Sequence, residues 1–257
     1  MHRRSTKTGR GDYPRVFTGL TLNLGAAVGL LACFIFILLA ILLSAKALYM
    51  ATDPYAPQPE ASIRIPITLI CLVVLTLLTE AAHLVGVGYC LGAPTKDSAR
   101  TFAMITLLVG SLGLSLLCIA GALGLAERYG TAAVILLIVG LLVTLTAKAL
   151  YLLFMRALGL ALEKTWLGRQ VFGTISLIAA AILFHWLVLI GAGFNFTGDI
   201  AGVITGLGNG AGLRDMGLSP YCFWLGSLLV LLYALIRCVI TVNDARNEVA
   251  YHLMGRQ

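Results

Sequence analysis

Six stretches of this chain, at about 22–45, 65–90, 102–125, 131–155, 171–193 and 219–242, run apolar with scarcely a charge. Each exceeds the roughly 20 residues that a helix needs to cross about 30 Å of hydrocarbon. A backbone in lipid must satisfy its own hydrogen bonds, so continuous runs of this length read as helices. The short alternating segments of an outer-membrane barrel are absent. The fold class that follows is all-α: a polytopic membrane protein built as a six-transmembrane-helix bundle. A basic tail at 1–21 and a short tail at 243–257 flank the membrane domain at 22–242.

Composition excludes the main alternatives. Of the 257 residues, 60% are hydrophobic and 11% charged, whereas a soluble domain carries about 25% charge. A soluble enzyme, a disordered chain and a nucleic-acid-binding domain are thereby excluded. The net charge of +7 needs no nucleic acid to explain it, because its basic residues fall where a topology signal needs them. Arg3, Arg4, Lys7, Arg10, Arg15, Lys96, Arg100, Arg156, Lys164, Arg169, Arg237, Arg246 and Arg256 lie on one side of the six spans. Lys46, Arg64, Arg128 and Arg214 lie on the other. The positive-inside rule then puts both termini in the cytoplasm, at an inner membrane. The cluster at 3–15 adds possible contact with anionic lipid, and other membrane subunits are further candidate partners.

The first span begins after a basic start and ends near Ala45-Lys46-Ala47, an A-x-A form. Its apolar core is longer than the 7–15 residues of a signal-peptide h-region, so it reads as a retained signal-anchor helix. Six cysteines are scattered through different spans with no C-x-x-C pair. They imply neither a disulfide framework nor a metal site, and read as small apolar core residues.

Three connections are long: a Pro-rich one at 50–63, a partly amphipathic one at 156–170 that extends span four, and a Gly-rich one at 194–218. In the last, Gly198, Gly202, Gly206 and Gly210 recur every four residues. They would make a smooth stripe if helical and a flexible loop otherwise. The segment lacks the G-K-[ST] of a phosphate loop. Ala45-Lys46-Ala47-Leu48-Tyr49 recurs as Ala147-Lys148-Ala149-Leu150-Tyr151, and His83 and His185 share that offset. An offset of three spans fits an inverted repeat. A competing register aligns Leu78–Ala82 with Leu145–Ala149.

Ionisable groups inside a span cost about 2.5–3.5 kcal/mol at the helix centre by insertion scales, so each needs a partner or water. Glu80, Lys148 and Arg237 are such groups, at similar depths in spans that run in the same direction. Thr76 and His83 share a helix face with Glu80, Thr144 and Tyr151 with Lys148, and Tyr233 and Thr241 with Arg237. One reading is a cytoplasm-facing cavity where Glu80 takes up a proton or cation, His83 relays, and Lys148 and Arg237 set the charge. A second is structural: Glu80 pairs with Lys148, and Arg237 snorkels to the interface. A third is contact with a lipid headgroup. His185, beside Trp186, is a secondary candidate that reads as a hydrogen bond to a neighbouring helix. No cofactor and no metal are implied. Neither H-E-x-x-H nor G-x-S-x-G occurs, and no catalytic residue stands out.

Tyr89-Cys-Leu-Gly-Ala-Pro-Thr-Lys-Asp-Ser-Ala-Arg100, leading into the Leu/Gly-rich third span, resembles multi-pass inner-membrane proteins of planctomycete-type bacteria. The resemblance implies an inner-membrane location and adds no chemistry. The role expected is a non-catalytic membrane component: a scaffold, assembly or sensory subunit. The alternative is a small transporter or proton-coupled permease using the Glu80, His83, Lys148 and Arg237 cluster.

Overall fold

A computed structural model describes residues 11–50, 64–94, 98–125, 130–191 and 218–255, with side chains at 11–39, 74–94, 98–123, 132, 135–188 and 223–255. These residues form six helices and, among the described residues, no strand: α1 Tyr13–Met50, α2 Arg64–Cys90, α3 Ala99–Leu125, α4 Gly130–Ala161, α5 Thr165–Gly191 and α6 Leu218–Met254. Five contain stretches long and apolar enough to cross a membrane: Tyr13–Leu39, Ala99–Leu123, Ile135–Ala161, Thr165–Val188 and Phe223–Met254. The part of α2 with described side chains, Val74–Cys90, is apolar but shorter.

The distribution of side chains is that of a protein dissolved in lipid. Leu108 is 65% exposed and Leu183 62% exposed, and many other large aliphatic residues face outward. The buried positions include Asn23, Thr79, Glu80, His83, Thr106, Thr174, Ser227 and Thr241. In water such a surface would drive association; in hydrocarbon it is the solvated face. Hydroxyls that point outward donate to their own helix one turn back, as Ser111 does to the Leu107 carbonyl and Thr146 to that of Leu142. The chain is a multi-pass helical membrane protein.

Several helix ends differ from those read off hydropathy. α1 starts at Tyr13, inside the expected tail at 1–21, because Asp12 caps it: its Oδ1 accepts the Arg15 N–H at 3.3 Å. The Asp12 N–H in turn donates to the Gly92 carbonyl at 2.7 Å, tying the start of α1 to the chain just past α2. α6 continues through most of the expected tail at 243–257, to Met254. The 156–170 connection extends span four as expected, as far as Ala161, but its second part belongs to α5, which begins at Thr165 and not near 171.

The reversal between them is a Schellman turn. Glu163 adopts a left-handed φ of 62°, its N–H donates to the Leu160 carbonyl, and the Lys164 N–H reaches the Gly159 carbonyl at 2.7 Å. The Pro-rich 51–63 connection and the Gly-rich 198–212 segment lie outside the described residues.

The chain divides into two compact units. The first comprises residues 1–27, 79–176 and 237–257, the second 28–78 and 177–236. In the first unit, helices approach through small residues. A Cβ on Gly19 of α1 would stand 2.5 Å from the Gly86 carbonyl oxygen of α2. One on Gly113 of α3 would stand 2.6 Å from Thr144 Oγ1 of α4. Without a hydrophobic drive between helices in lipid, such close approach supplies dispersion contact. In the second unit Leu38, Trp224 and Leu228 form a core, with Phe34 and Val188 packed against it.

Candidate functional site

The polar centre of the first unit is assembled by α1, α2 and α4. Glu80 and His83 lie one turn apart on α2, and Lys148 and Tyr151 one turn apart on α4, so each helix offers two polar groups on one face. Lys148 Nζ stands 2.8 Å from Glu80 Oε2. Glu80 is 8% exposed and His83 4%. His83 meets the Tyr151 ring edge to face, with centroids 4.9 Å apart, and Tyr151 stacks on Phe154 at 5.7 Å. An ion pair, an imidazole and a phenol therefore share one layer of the unit.

The ion pair expected between Glu80 and Lys148 is present, and His83 lies beside it. Arg237 is not joined to them: among the described residues it makes no ion pair, its side chain is half-buried, and its carbonyl accepts the Thr241 hydroxyl at 2.8 Å. Of the faces expected for the third helix, Thr241 is buried and meets Thr174 Oγ1 of α5 at 2.9 Å, while Tyr233 is exposed.

His185 belongs to the second unit, where its Nδ1 is 2.7 Å from Ser227 Oγ. This is the hydrogen bond to a neighbouring helix that an isolated intramembrane His calls for. The pair has the composition of a nucleophile and its base. The Ser227 hydroxyl, however, donates to the Trp224 carbonyl at 2.6 Å, and a carbonyl can only accept. The hydroxyl proton is thus committed to the backbone, and His185 Nδ1–H is the donor to Oγ.

Asn23 of α1 was not singled out by its sequence. It is 1% exposed, and its Nδ2 donates to the Gly19 carbonyl at 3.0 Å. Its side chain packs where Gly86 has none: a Cβ on Gly86 would lie 2.8 Å from Asn23 Cγ. It also approaches Tyr151 and Cys90. A single amide in an otherwise apolar run was the available signal.

Near the start of α1 and along the last turns of α6, polar contacts join α1, α5 and α6. Gln170 Nε2 donates to Asp244 Oδ2 at 2.8 Å, Lys164 pairs with Glu248 at 3.1 Å, and Arg246 donates to Thr21 Oγ1 at 3.0 Å while lying over the Phe17 ring. Arg15, the described member of the basic cluster, lies 5.9 Å from the Tyr89 ring centroid.

Cys33, Cys90, Cys118 and Cys238 are free thiols; the first two are buried and Cys118 faces outward. Among the described residues no group of three or more His, Cys, Asp or Glu side chains could hold a metal ion. Compared with protein-family models, curated proteins and solved structures, the chain shows no match.

Proposed function

We propose that this protein is a non-catalytic component of an inner membrane, a scaffold, assembly or sensory subunit, that crosses the bilayer six times with both termini in the cytoplasm. The observation that carries this reading is the closed Glu80–Lys148 pair. A carboxylate held 2.8 Å from an ammonium is already compensated, so its charge serves cohesion between α2 and α4. A cation or proton carrier needs its carboxylate open to exchange. The second unit supports the same reading, since its Ser–His pair is arranged as a hydrogen-bonded clamp. The basic residues on the terminal side suit contact with anionic headgroups, and the outward apolar faces suit lipid or other membrane subunits.

The test is a double-mutant cycle on thermal stability in detergent, with Glu80→Gln, Lys148→Met and both together. Breaking one side of a buried pair costs about 3–5 kcal/mol, whereas replacing both is often close to neutral. Destabilised single variants and a recovered double variant support the structural role. Stable, uncoupled single variants, together with a proton or cation flux in proteoliposomes that Glu80→Gln abolishes, would replace this reading with that of a proton-coupled permease. Accessibility labelling of single cysteines placed at both ends tests the six-span, cytoplasmic-termini topology.

A further inference from the structure

Among the side-chain atoms of the first unit that are buried without a hydrogen-bond partner among the described residues are Asn23 Oδ1, His83 Nε2 and Tyr151 Oη. Their side chains are 1%, 4% and 4% exposed. They come from α1, α2 and α4, and they are neighbours. His83 and Tyr151 are in ring contact at 4.9 Å. Asn23 approaches Tyr151 and fills the space beside Gly86, one turn along α2 from His83. The Asn23 amide orientation is fixed by Nδ2 donating to the Gly19 carbonyl, which leaves Oδ1 as an acceptor.

Each unpartnered buried polar group keeps its desolvation penalty uncompensated, and three together would weigh heavily against the marginal stability of a domain. Direct pairing does not relieve them: the Asn23 amide comes within reach of the Tyr151 hydroxyl and the His83 and Tyr151 rings touch, yet Asn23 Oδ1, His83 Nε2 and Tyr151 Oη close no hydrogen bond of good geometry. A bridging molecule does. It must be small, because all three groups are enclosed. It must also be neutral, since the adjacent charges of Glu80 and Lys148 cancel one another and leave none to hold an ion. Finally, it must both donate and accept, because Asn23 Oδ1 only accepts, Tyr151 Oη does either, and His83 Nε2 follows its tautomer. Water meets all three conditions, and buried waters make about three such bonds.

We propose that Asn23, His83 and Tyr151 form an internal water-binding site that joins α1, α2 and α4. The bound water is the hydrogen-bond partner of His83 Nε2, so that the imidazole is held through solvent and not through the ion pair next to it. The site stands apart from the function argued above and does not depend on it.

Crystals of the full chain grown from lipid, at a resolution that shows ordered water, test the site in the wild-type protein and in Tyr151→Phe. The expected result is density within hydrogen-bond distance of at least two of the three atoms, lost or displaced in Tyr151→Phe while the helices stay in place. A wild-type map in which the three groups pair directly, or with no density between them, overturns the proposal. Density too large for water identifies a different small polar ligand and overturns it as well.

Should Tyr151→Phe fail to crystallise, hydrogen–deuterium fractionation at His83 Nε2, read by nitrogen NMR in vesicles, replaces it. Exchange of that site with solvent deuterium without unfolding supports bound water. Protection as long as that of the backbone amides of α2 refutes it.

Discussion

Gly19 and Gly86 face each other backbone to backbone: a Cβ on the first would lie 2.5 Å from the second's carbonyl oxygen, and one on the second 2.8 Å from the first's. The obstacle in each direction is main chain, which cannot rotate aside. Gly19→Ala or Gly86→Ala should therefore force α1 and α2 apart, at a cost of about 1–3 kcal/mol. Gly88, two residues along α2, has open space where its Cβ would stand. Gly88→Ala should be neutral or stabilising by up to about 1 kcal/mol, the helix-propensity gain. Melting curves in one detergent compare the three; equal losses would mean that close approach is not what these glycines provide.

Glu163 closes the α4–α5 turn with a left-handed backbone, φ 62°, and its side chain is exposed. A side chain in that conformation costs about 1–2 kcal/mol that glycine does not incur. Glu163→Gly is expected to raise the melting temperature, and Glu163→Val to lower it, because a β-branched residue suits that region least. A fall with glycine would show that the carboxylate itself matters.

Ser227 should not behave as a nucleophile. With its proton on the Trp224 carbonyl and His185 donating to its oxygen, a serine-directed fluorophosphonate probe is expected to leave it unmodified. Ser227→Ala should cost about 0.6–1.7 kcal/mol, the range for a hydrogen bond between membrane helices. Covalent labelling that Ser227→Ala removes would turn this clamp into a reactive pair.

Gln170 and Asp244 offer a test of the contact between α5 and α6. In this pair an amide donates to a carboxylate at 2.8 Å. Gln170→Leu removes the donor and leaves a half-buried carboxylate without it, which should cost about 1–3 kcal/mol and lower the melting temperature in detergent. An unchanged melting temperature would mean that the contact does not hold the two helices together.

Hydropathy made the helices legible because the length of an apolar run is a direct measure of what lipid demands. It misplaced their ends where helix continues in polar sequence. Residues 243–254 carry Asp244, Arg246 and Glu248, and pass for a tail, yet Ala245 and Val249 are fully buried along one face. The start of α1 was readable in Asp12 and Pro14, a cap followed by a first-turn proline, and was hidden by the neighbouring Arg15. Within the site, Glu80, His83 and Lys148 announced themselves through charge and spacing. Arg237 shared their depth, but depth does not fix which way a helix face turns. Asn23 carries no charge, and the Gly19–Gly86 contact cannot be told from any other glycines in an apolar background.

The pairing of Glu80 with Lys148 has an electrical consequence. A lone charge carried across a membrane exchanges about 2.3 kcal/mol with the field for every 100 mV. Opposite charges 2.8 Å apart move together and do almost no net work. The bundle thus holds a carboxylate and an ammonium in its core and stays blind to voltage there. A change that removes one partner alone takes away this cancellation, and the charge left behind would then exchange work with the field whenever it moved.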